Sequence, residues 1–339
     1  MDLSIIIVNW NSADFLRKCL ESIFRSTQGL SVEVIVVDNA SFDSSAAMIN
    51  DGFPCVRYIQ SNENLGFARA NNLGTEASTG RILFFLNPDT EMRGNALGEM
   101  VQAMDRLPQA GAVGALLFNA DGTVQTSCIQ SLPTIFNQAV DSEALRNRFP
   151  RSSLWGIAPL LDCLKTPQPV QMISGAALMV RRETFERVGH FTSSYFMYGE
   201  DADLCFKINQ AGYRLFFIPT AEIVHYGGQS TKSKESSFSI LAMQKSLALY
   251  FGNTSGKATA TLFRLTRFLT ACLRLGLLRL AQLGSSAGES RRELQPSINK
   301  WKLILRWSLG SEEAKRAFPP KVDENFDKNS KKGSTASAI

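Results

Sequence analysis

The chain has few histidines, no paired cysteines and no basic leader, and each absence excludes a class of protein. His190 and His225 are its only histidines, so a multi-histidine metal site is ruled out. Its six cysteines are scattered without a C-x-x-C pair, which argues against a zinc ribbon or disulfide scaffold and fits a reducing cytosol. The N-terminus starts with a short apolar stretch, residues 3–8, which predicts a strand and not a signal peptide.

Acidic residues are missing between Ser236 and Gly288, and this makes the charge distribution uneven. The 339-residue chain has a net charge of +5, of which residues 257–316 carry +8, leaving −3 elsewhere. This basic stretch predicts either a solvated helical face or a surface that meets anionic lipid. Nucleic acid is the less favoured partner and we expect none, because the basic residues alternate with leucine and not with exposed aromatic residues.

Strand and helix patterns alternate over the first 118 residues, which predicts a parallel sheet with right-handed crossovers. The predicted strands are 3–8, 32–37, 55–59, 82–86 and 112–118, and the predicted helices are 12–25, 42–49, 66–78 and 95–107. A hairpin turn at 119–123 ends this regular part. Further on, the pattern predicts strands 172–180, 214–218 and 222–224, helices 183–188 and 201–211, and helical structure over 236–309.

Two of the apolar strands each run into an aspartate. Strand 32–37 leads to Asp38, and strand 82–86 leads to Asn87, Pro88 and Asp89. Ligands of open α/β sheets bind at the carboxyl ends of strands, so these carboxylates suggest a site for a divalent metal and a nucleotide diphosphate. Pro88 fixes the turn that directs Asp89 toward a metal, while Asp38 is better placed for a base or ribose. The simpler interpretation is that both aspartates only form turns after strands.

A third group of carboxylates, Glu200, Asp201 and Asp203, stands at the start of a predicted helix. Acidic residues at helix starts commonly stabilise the helix dipole. One of them could instead remove the proton from an acceptor hydroxyl that attacks the anomeric carbon of a sugar. The helix N-terminus lowers the pKa of an aspartate and a neighbouring Glu200 raises it, and the sequence leaves the balance between them open.

Six segments, taken in order, resemble glycosyltransferase family 2 and its GT-A fold. They are Ser4–Asn11, Val36–Ser41, Asn64–Asn72, Leu86–Asp89, Gly175–Arg182 and Tyr198–Leu204. The resemblance covers residues 3–231, and the subgroup it is most similar to is the bacterial rhamnosyltransferases of surface-polysaccharide assembly. It implies an α/β fold with a mostly parallel central sheet flanked by helices, followed here by a C-terminal helical extension.

The resemblance also implies roles for individual residues. Asn87-Pro88-Asp89 matches the family's metal motif for Mg²⁺ or Mn²⁺, and because Asn87 is a neutral ligand, Asp89 should provide most of the metal contact. His225 matches an H-x-x-G-x-S motif that joins the metal site, although a lone histidine is more often structural. The residues implied to bind the nucleotide-sugar donor are Val8, Asn9, Asn11, Asp38 (at the nucleobase), Asn64, Gly66, Phe67, Asn71, Asn87 and Gly175.

For the catalytic base, the family pattern puts Asp201 first and Glu200 second, with Asp203 supporting. No nucleophile stands beside a base in the sequence, so we expect one direct displacement that inverts the anomeric centre. The expected activity is single transfer of L-rhamnose from dTDP-L-rhamnose to a lipid-linked or polysaccharide acceptor, at the cytoplasmic face of a bacterial inner membrane. A UDP-sugar transferase, a nucleotidyltransferase and a non-catalytic glycan- or membrane-binding protein are the alternatives.

These expectations divide the chain into four parts. Residues 1–119 form the nucleotide-sugar-binding half and 120–235 the acceptor half of one domain, 236–318 an amphipathic helical region, and 319–339 a disordered tail. Within the helical region, leucines from Leu262 to Leu283 share one face and Arg264, Arg267 and Arg274 lie opposite. Between Leu262 and Leu283, the longest stretch without a charged residue is too short to span a bilayer. We therefore expect peripheral membrane contact through residues 257–310. Packing on the catalytic domain or in a homo-oligomer is the other interpretation.

Overall fold

The computed structural model describes residues 1–27, 29–142, 166–227, 237–284 and 288–311, with isolated positions between 145 and 154. Its strands are β1 (Leu3–Asn9), β2 (Val32–Asp38), β3 (Arg57–Gln60), β4 (Ile82–Leu86), β5 (Thr90–Met92), β6 (Ala110–Phe118), β7 (Ile129–Gln130), β8 (Gln168–Val170), β9 (Met172–Ile173), β10 (Ala177–Arg181) and β11 (Arg214–His225). Its helices are α1 (Ala13–Arg25), α2 (Ser45–Gly52), α3 (Gly66–Glu76), α4 (Ala96–Arg106), α5 (Ile135–Val140), α6 (Arg182–Arg187), α7 (Glu200–Gln210), α8 (Ser237–Ser255), α9 (Lys257–Gly284) and α10 (Gly288–Ser308). The predicted tail, 319–339, lies outside the described residues.

The central sheet has the strand order β3-β2-β1-β4-β10-β6-β11-β5, with β8 added beside β11. The strands β1, β2, β3, β4, β6 and β11 run in one direction, while β5, β8 and β10 run in the other. The sheet is therefore mostly parallel, as predicted. Its middle strands are apolar and buried on both faces, because helices cover both sides of such a sheet.

The predicted helices of the first half form with small shifts at their ends. In α1, the apolar side chains of Leu16, Cys19, Leu20 and Ile23 are fully enclosed against the sheet. The predicted hairpin after β6 also forms, since Phe118 bridges to Val124 across the turn. The spacing of apolar residues was therefore sufficient to predict these helices, because each packs a single continuous face onto the sheet.

Two predicted strand boundaries are wrong. The segment 172–180 is not one strand: β9 pairs with β7 in a separate two-stranded sheet, and only β10 joins the central sheet. The turn at 174–176 lets the chain change sheets. Conversely, 214–218 and 222–224 belong to one strand, β11, whose register shifts between Ile218 and Glu222. The three-residue strand β5 and the short strands β7 and β8 were not predicted, because such lengths carry no clear period.

Helices α8, α9 and α10 pack against one another beside the sheet domain. A small apolar cluster of Ala271, Trp301 and Ile304 joins α9 to α10. Two arginines of α9 face inward: Arg267 lies 5.1 Å and Arg274 4.8 Å from the ring centroid of Trp301. In the part of the chain that the structure describes, none of the helices has the length and apolar character needed to cross a bilayer.

Candidate active site

Strands β1, β2 and β4 end at the same edge of the sheet, and this edge collects the predicted site residues. Strand β10 is antiparallel to β4, so its beginning, and not its end, lies at this edge. The backbone N–H of Asn87 donates to the carbonyl of Ala176 at 3.0 Å, which joins the Asn87–Asp89 turn to the chain entering β10. The topology therefore brings the metal-motif turn and Gly175 together.

Asp38 and Asn9 lie beneath this edge and are completely buried. The Asn9 Nδ2 donates to Asp38 Oδ2 at 2.9 Å, and the other carboxylate oxygen accepts from the N–H of Ser41 at 2.7 Å and from Gln60 Nε2 at 2.9 Å. A nucleobase N–H could reach Asp38 only by displacing one of these donors. Gln60 is the exposed donor and the one that can move. The nucleobase role of Asp38 stays a prediction.

The loops around Asp38 are held by other predicted donor-binding residues. Asn11 has a positive φ of 50°, and its side chain accepts from the N–H of Phe42 at 2.9 Å. Asn9 also donates to Ser45 Oγ at the start of α2. Val8 is half-buried next to these groups. These contacts fix the loop after β2, and a direct contact of Val8, Asn9 or Asn11 with a donor stays a prediction.

The segment Asn64–Asn71 turns tightly into α3. The Asn64 side chain accepts from the N–H of Gly66 at 2.9 Å, and Gly66 has a φ of +75°. A Cβ at Gly66 would collide with the carbonyl oxygen of Phe196, so only glycine fits this position. Asn71 is buried and donates to the carbonyl of Phe67, while its Oδ1 has no partner among the described residues. The segment is thus a rigid wall that places Phe67 beside Gly175.

Asp89 and His225 meet because β5 pairs with the end of β11. In that register Thr90 lies opposite His225, and the N–H of Tyr226 donates to the carbonyl of Asp89 at 2.9 Å. The His225 Nε2 lies 3.3 Å from Asp89 Oδ1 and 3.3 Å from Asn87 Nδ2. All three side chains converge on one point, and their role as metal ligands stays a prediction.

Gln125 orients this histidine and was not predicted. Its Oε1 lies 2.7 Å from His225 Nδ1, so the ring donates that N–H, and in the neutral ring the Nε2 lone pair lies on the side of Asp89. A second hydrogen bond, from Gln125 Nε2 to Asn119 Oδ1 at 3.1 Å, fixes the amide. Gln125 lies in the hairpin after β6, outside every recognisable motif, and only the fold brings it to His225.

These residues fit a divalent cation. Two ligands about 2.1 Å from one ion, at right angles, are separated by about 3 Å, close to the Asp89–His225 spacing. A ligand histidine whose other nitrogen donates to a carbonyl oxygen is the common arrangement. Among the described residues, no group of three or more His, Cys, Asp and Glu side chains forms. Further coordination would have to come from Asn87, water or substrate oxygens.

The carboxylates at the start of α7 differ sharply in environment. Asp201 is half-buried, and its Oδ2 accepts from the N–H of Gly175 at 3.1 Å. Glu200 is buried, and its Oε2 has no partner among the described residues. Burial raises the pKa of both groups, and in Glu200 the neighbouring Asp201 adds to the effect. The sequence left open whether the pKa of Asp201 is raised or lowered, and its surroundings in the tertiary structure raise it.

Other residues of the predicted motifs are structural. Asp203 is buried against Thr192 Oγ1 at 2.6 Å and Lys207 Nζ at 3.3 Å, so it anchors the loop before α7. Arg181 and Arg182 lie at the far end of β10, away from the site, and donate to backbone carbonyls there. A motif that is continuous in sequence is therefore split between opposite edges of the sheet, because β10 is antiparallel.

A mostly parallel sheet with carboxylates gathered at the carboxyl ends of its strands is the arrangement expected of a GT-A glycosyltransferase, an enzyme that moves a sugar from a nucleotide. The sequence agrees with this class. The profile of Glycosyl transferase family 2 matches residues 4–189, and that of Glycosyl transferase family group 2 matches residues 151–284. The chain belongs to glycosyl transferase family 2 and is a glycosyltransferase.

Curated relatives include an N-acetylglucosaminyl-diphospho-decaprenol L-rhamnosyltransferase of Mycobacterium tuberculosis, which is 29% identical and aligns over 74% of this chain and 84% of its own. The rhamnosyltransferase WbbL of Escherichia coli is 25% identical over 68% of this chain and 85% of its own. Among solved structures, the mannosyltransferase PcManGT of Pyrobaculum calidifontis, in complex with GDP-Man and Mn²⁺, aligns with a TM-score of 0.54. That alignment is 17% identical and covers 91% of this chain and 86% of the other.

The structure of GalNAc-T7 with UDP, GalNAc and Mn²⁺ gives a TM-score of 0.55 at 16% identity. The alignment covers 74% of this chain and 47% of that one, so this chain spans about half its length. At such low identities, the two structures establish the shared fold.

Proposed function

We propose that this protein transfers a single L-rhamnose from dTDP-L-rhamnose to a lipid-linked glycan acceptor of a bacterial cell surface, with inversion at the anomeric carbon. The observation that carries the mechanism is the position of Asp201. Its carboxylate accepts from Gly175 N–H, and the next residue, Ala176, is hydrogen-bonded to Asn87 of the metal-motif turn. The proposed base and the proposed diphosphate site are thus linked through two adjacent residues, Gly175 and Ala176. The names of the relatives support the sugar and the lipid-linked acceptor.

In this proposal the acceptor hydroxyl oxygen forms a bond to the anomeric carbon as the bond from that carbon to the diphosphate oxygen breaks. Asp201 takes the hydroxyl proton, and the nucleoside diphosphate leaves with the bonding electrons. Burial raises the pKa of Asp201, which makes its carboxylate a stronger base than an exposed aspartate. Asp201 is the only base needed, because a direct displacement uses no covalent intermediate.

On the donor side, Asp89, His225 and Asn87 would hold Mg²⁺ or Mn²⁺. When bound, the ion would supply positive charge that stabilises the departing diphosphate. Gln125 keeps the Nε2 lone pair of His225 directed to that place. Asp38 would meet the nucleobase, and the wall formed by Asn64, Gly66, Phe67 and Asn71 would enclose the nucleotide. A UDP-sugar is the alternative donor, since uracil offers the same ring N–H as thymine.

A lipid-linked acceptor requires the enzyme to work at a membrane surface. We place it on the cytoplasmic face of the inner membrane, in peripheral contact through residues 257–310. Homo-oligomer formation by the same helices is the alternative use of this region.

The test is donor hydrolysis and transfer measured across dTDP-rhamnose, UDP-glucose, UDP-galactose, UDP-GlcNAc and GDP-mannose, with Mn²⁺ or Mg²⁺ and then with chelator. We expect metal-dependent turnover of dTDP-rhamnose alone, and none from an Asp89→Ala variant that still binds dTDP. Turnover of a UDP-sugar would overturn the rhamnose assignment and keep the mechanism. Turnover that survives chelation would overturn the metal site.

A further inference from the structure

The outer face of α9 carries a continuous row of leucines. Leu262, Leu265, Leu269, Leu273, Leu277, Leu280 and Leu283 are between 51% and 78% exposed. They recur every three or four residues, so they share one side of a helix. Over 21 residues the row is about 30 Å long. We call it the leucine face.

The opposite side of α9 is bound to the rest of the protein by two arginines. Arg267 is buried and donates to Gln244 Oε1 of α8 and to the carbonyl of Gln138 of α5, both at 2.9 Å. Arg274 donates to the carbonyl of Asp141 at 2.8 Å. Both guanidinium groups also pack on Trp301 of α10. These contacts reach three other segments, so rotating α9 to bury its leucines would break all of them.

We propose that the leucine face is a docking surface that lies in the interfacial layer of an anionic phospholipid bilayer. This deepens the membrane contact in the proposed function by assigning it to one face, but the docking itself needs neither sugar donor nor acceptor. A bilayer interface matches both sides of α9. It accepts the apolar row, while the polar opposite side keeps the helix from being inserted across the membrane.

Charge selects lipid over a second copy of the chain. Residues 257–284 contain five basic residues and no acidic one. Pairing two leucine faces would bring two such helices together without a single acidic partner on them. Anionic headgroups would instead complement Arg279, which is exposed one turn before Leu283, and Lys257, which is exposed at the start of α9.

The orientation of the arginines has a measurable consequence. Arg264 donates to the carbonyl of Trp307 at 3.2 Å and packs on its ring. Since Arg267 and Arg274 are also bound within the protein, Lys257 and Arg279 are the cations of α9 left to contact headgroups. Docking should therefore depend mainly on apolar insertion and only moderately on anionic lipid, unlike that of a helix with all five cations turned to the surface.

The experiment is sedimentation of the full chain with vesicles of 30% phosphatidylglycerol in phosphatidylcholine, without sugar nucleotide. The triple variant Leu269→Gln, Leu273→Gln, Leu280→Gln should partition about 100-fold more weakly, because each leucine loses about half of its transfer free energy. Phe24→Gln, at an exposed apolar side chain outside the face, should bind like the unmodified protein. The double variant Lys257→Gln, Arg279→Gln should bind only a few-fold more weakly.

Unchanged vesicle binding by the triple variant would overturn the proposal. So would an unmodified protein that fails to bind vesicles and sediments as a dimer, if the triple variant were monomeric, since a second copy would then be the occupant. Donor turnover, measured in detergent-free solution with a soluble acceptor, should be the same for all these variants. A chain that docks but transfers no sugar would contradict the proposed function alone.

Discussion

The sheet edge that carries the candidate active site and the helix α9 both bury polar side chains, but α9 also exposes a row of apolar ones. At the edge, Asn9 and Asp38 are fully buried although they are polar. On α9, the leucines are exposed while Arg267 is buried. In both places the hydrogen-bond partners decide: Asp38 accepts from three donors, and Arg267 donates to two acceptors and stacks on Trp301. Hydrophobicity alone would predict neither arrangement, because a buried polar group is tolerated wherever it is fully paired.

The two regions also differ in what surrounds them. The edge is built from strand ends and loops whose backbone groups supply donors. α9 offers more apolar surface than the sheet domain can cover, and its arginines have long stems that reach across to α5, α8 and α10. We therefore expect substitutions at the edge to change chemistry, and substitutions of the buried arginine to change stability.

The largest effect should come from Asp201→Asn, which keeps the hydrogen bond from Gly175 but removes the base. Single-turnover transfer should fall about 100- to 10,000-fold while dTDP-sugar affinity, measured by calorimetry, stays unchanged. Asp105→Asn, at an exposed ion pair with Arg81 on the opposite edge, is the matched control and should retain activity. Transfer that persists in Asp201→Asn would show that another group accepts the proton.

Gln125 tests whether the orientation of His225 matters to the metal site. Gln125→Leu removes the acceptor for Nδ1–H, so the ring can turn, and Mn²⁺ affinity in the presence of dTDP should drop about 10- to 100-fold. The conservative Gln125→Glu keeps an acceptor oxygen and should restore affinity to within a few-fold. Electron paramagnetic resonance of free Mn²⁺ gives both values. Equal affinity of the leucine variant and the unmodified protein would remove His225 from the ligand set.

Arg267→Met tests the other side of the comparison. It removes two hydrogen bonds and the contact with Trp301, and it leaves Gln244 Oε1 without its donor. The free energy of unfolding should fall by about 1–3 kcal/mol in urea titrations. Arg279→Met, at an exposed arginine of the same helix, should cost no more than about 0.5 kcal/mol. Equal costs would mean that burial of the arginine contributes little to the packing of α9.

The smallest effect concerns Glu200 and depends on pH. Burial, together with the charge of Asp201, raises the pKa of Glu200 to about 8. An unfolded glutamate has a pKa of about 4.3, so between these values the folded state binds the extra proton and loses stability as the pH rises. Glu200→Gln cannot titrate. Its stability relative to the unmodified protein should therefore increase from pH 5 to pH 6, by about 1 kcal/mol.

Urea unfolding at the two pH values measures this change. Glu183→Gln, at an exposed side chain on α6, provides the control and should show the same difference at both. A flat profile for Glu200→Gln would mean that Glu200 is solvated in the folded protein.

How much could be read from the sequence depended on whether a feature was local. The strands ending in Asp38 and Asp89 were visible because buried apolar runs and turn residues lie next to each other in the chain. The boundary at 174–176 was not visible, because residues 172–180 are apolar throughout and only pairing with β7 separates β9 from β10. The strand β5 was missed for a similar reason, although it is what brings Asp89 beside His225.

The sequence by itself determined the fold class, the family and the positions of the carboxylates, since these follow from period, turn chemistry and motif order. Only the tertiary structure decided which groups are paired. It placed Gln125 on His225 and gave Asp201 and Glu200 different exposures. It also turned Arg267 and Arg274 of α9 inward, so that the leucines face out. Burial and hydrogen bonding depend on contacts between segments far apart in the chain, and those contacts exist only once the whole sheet and its helices are assembled.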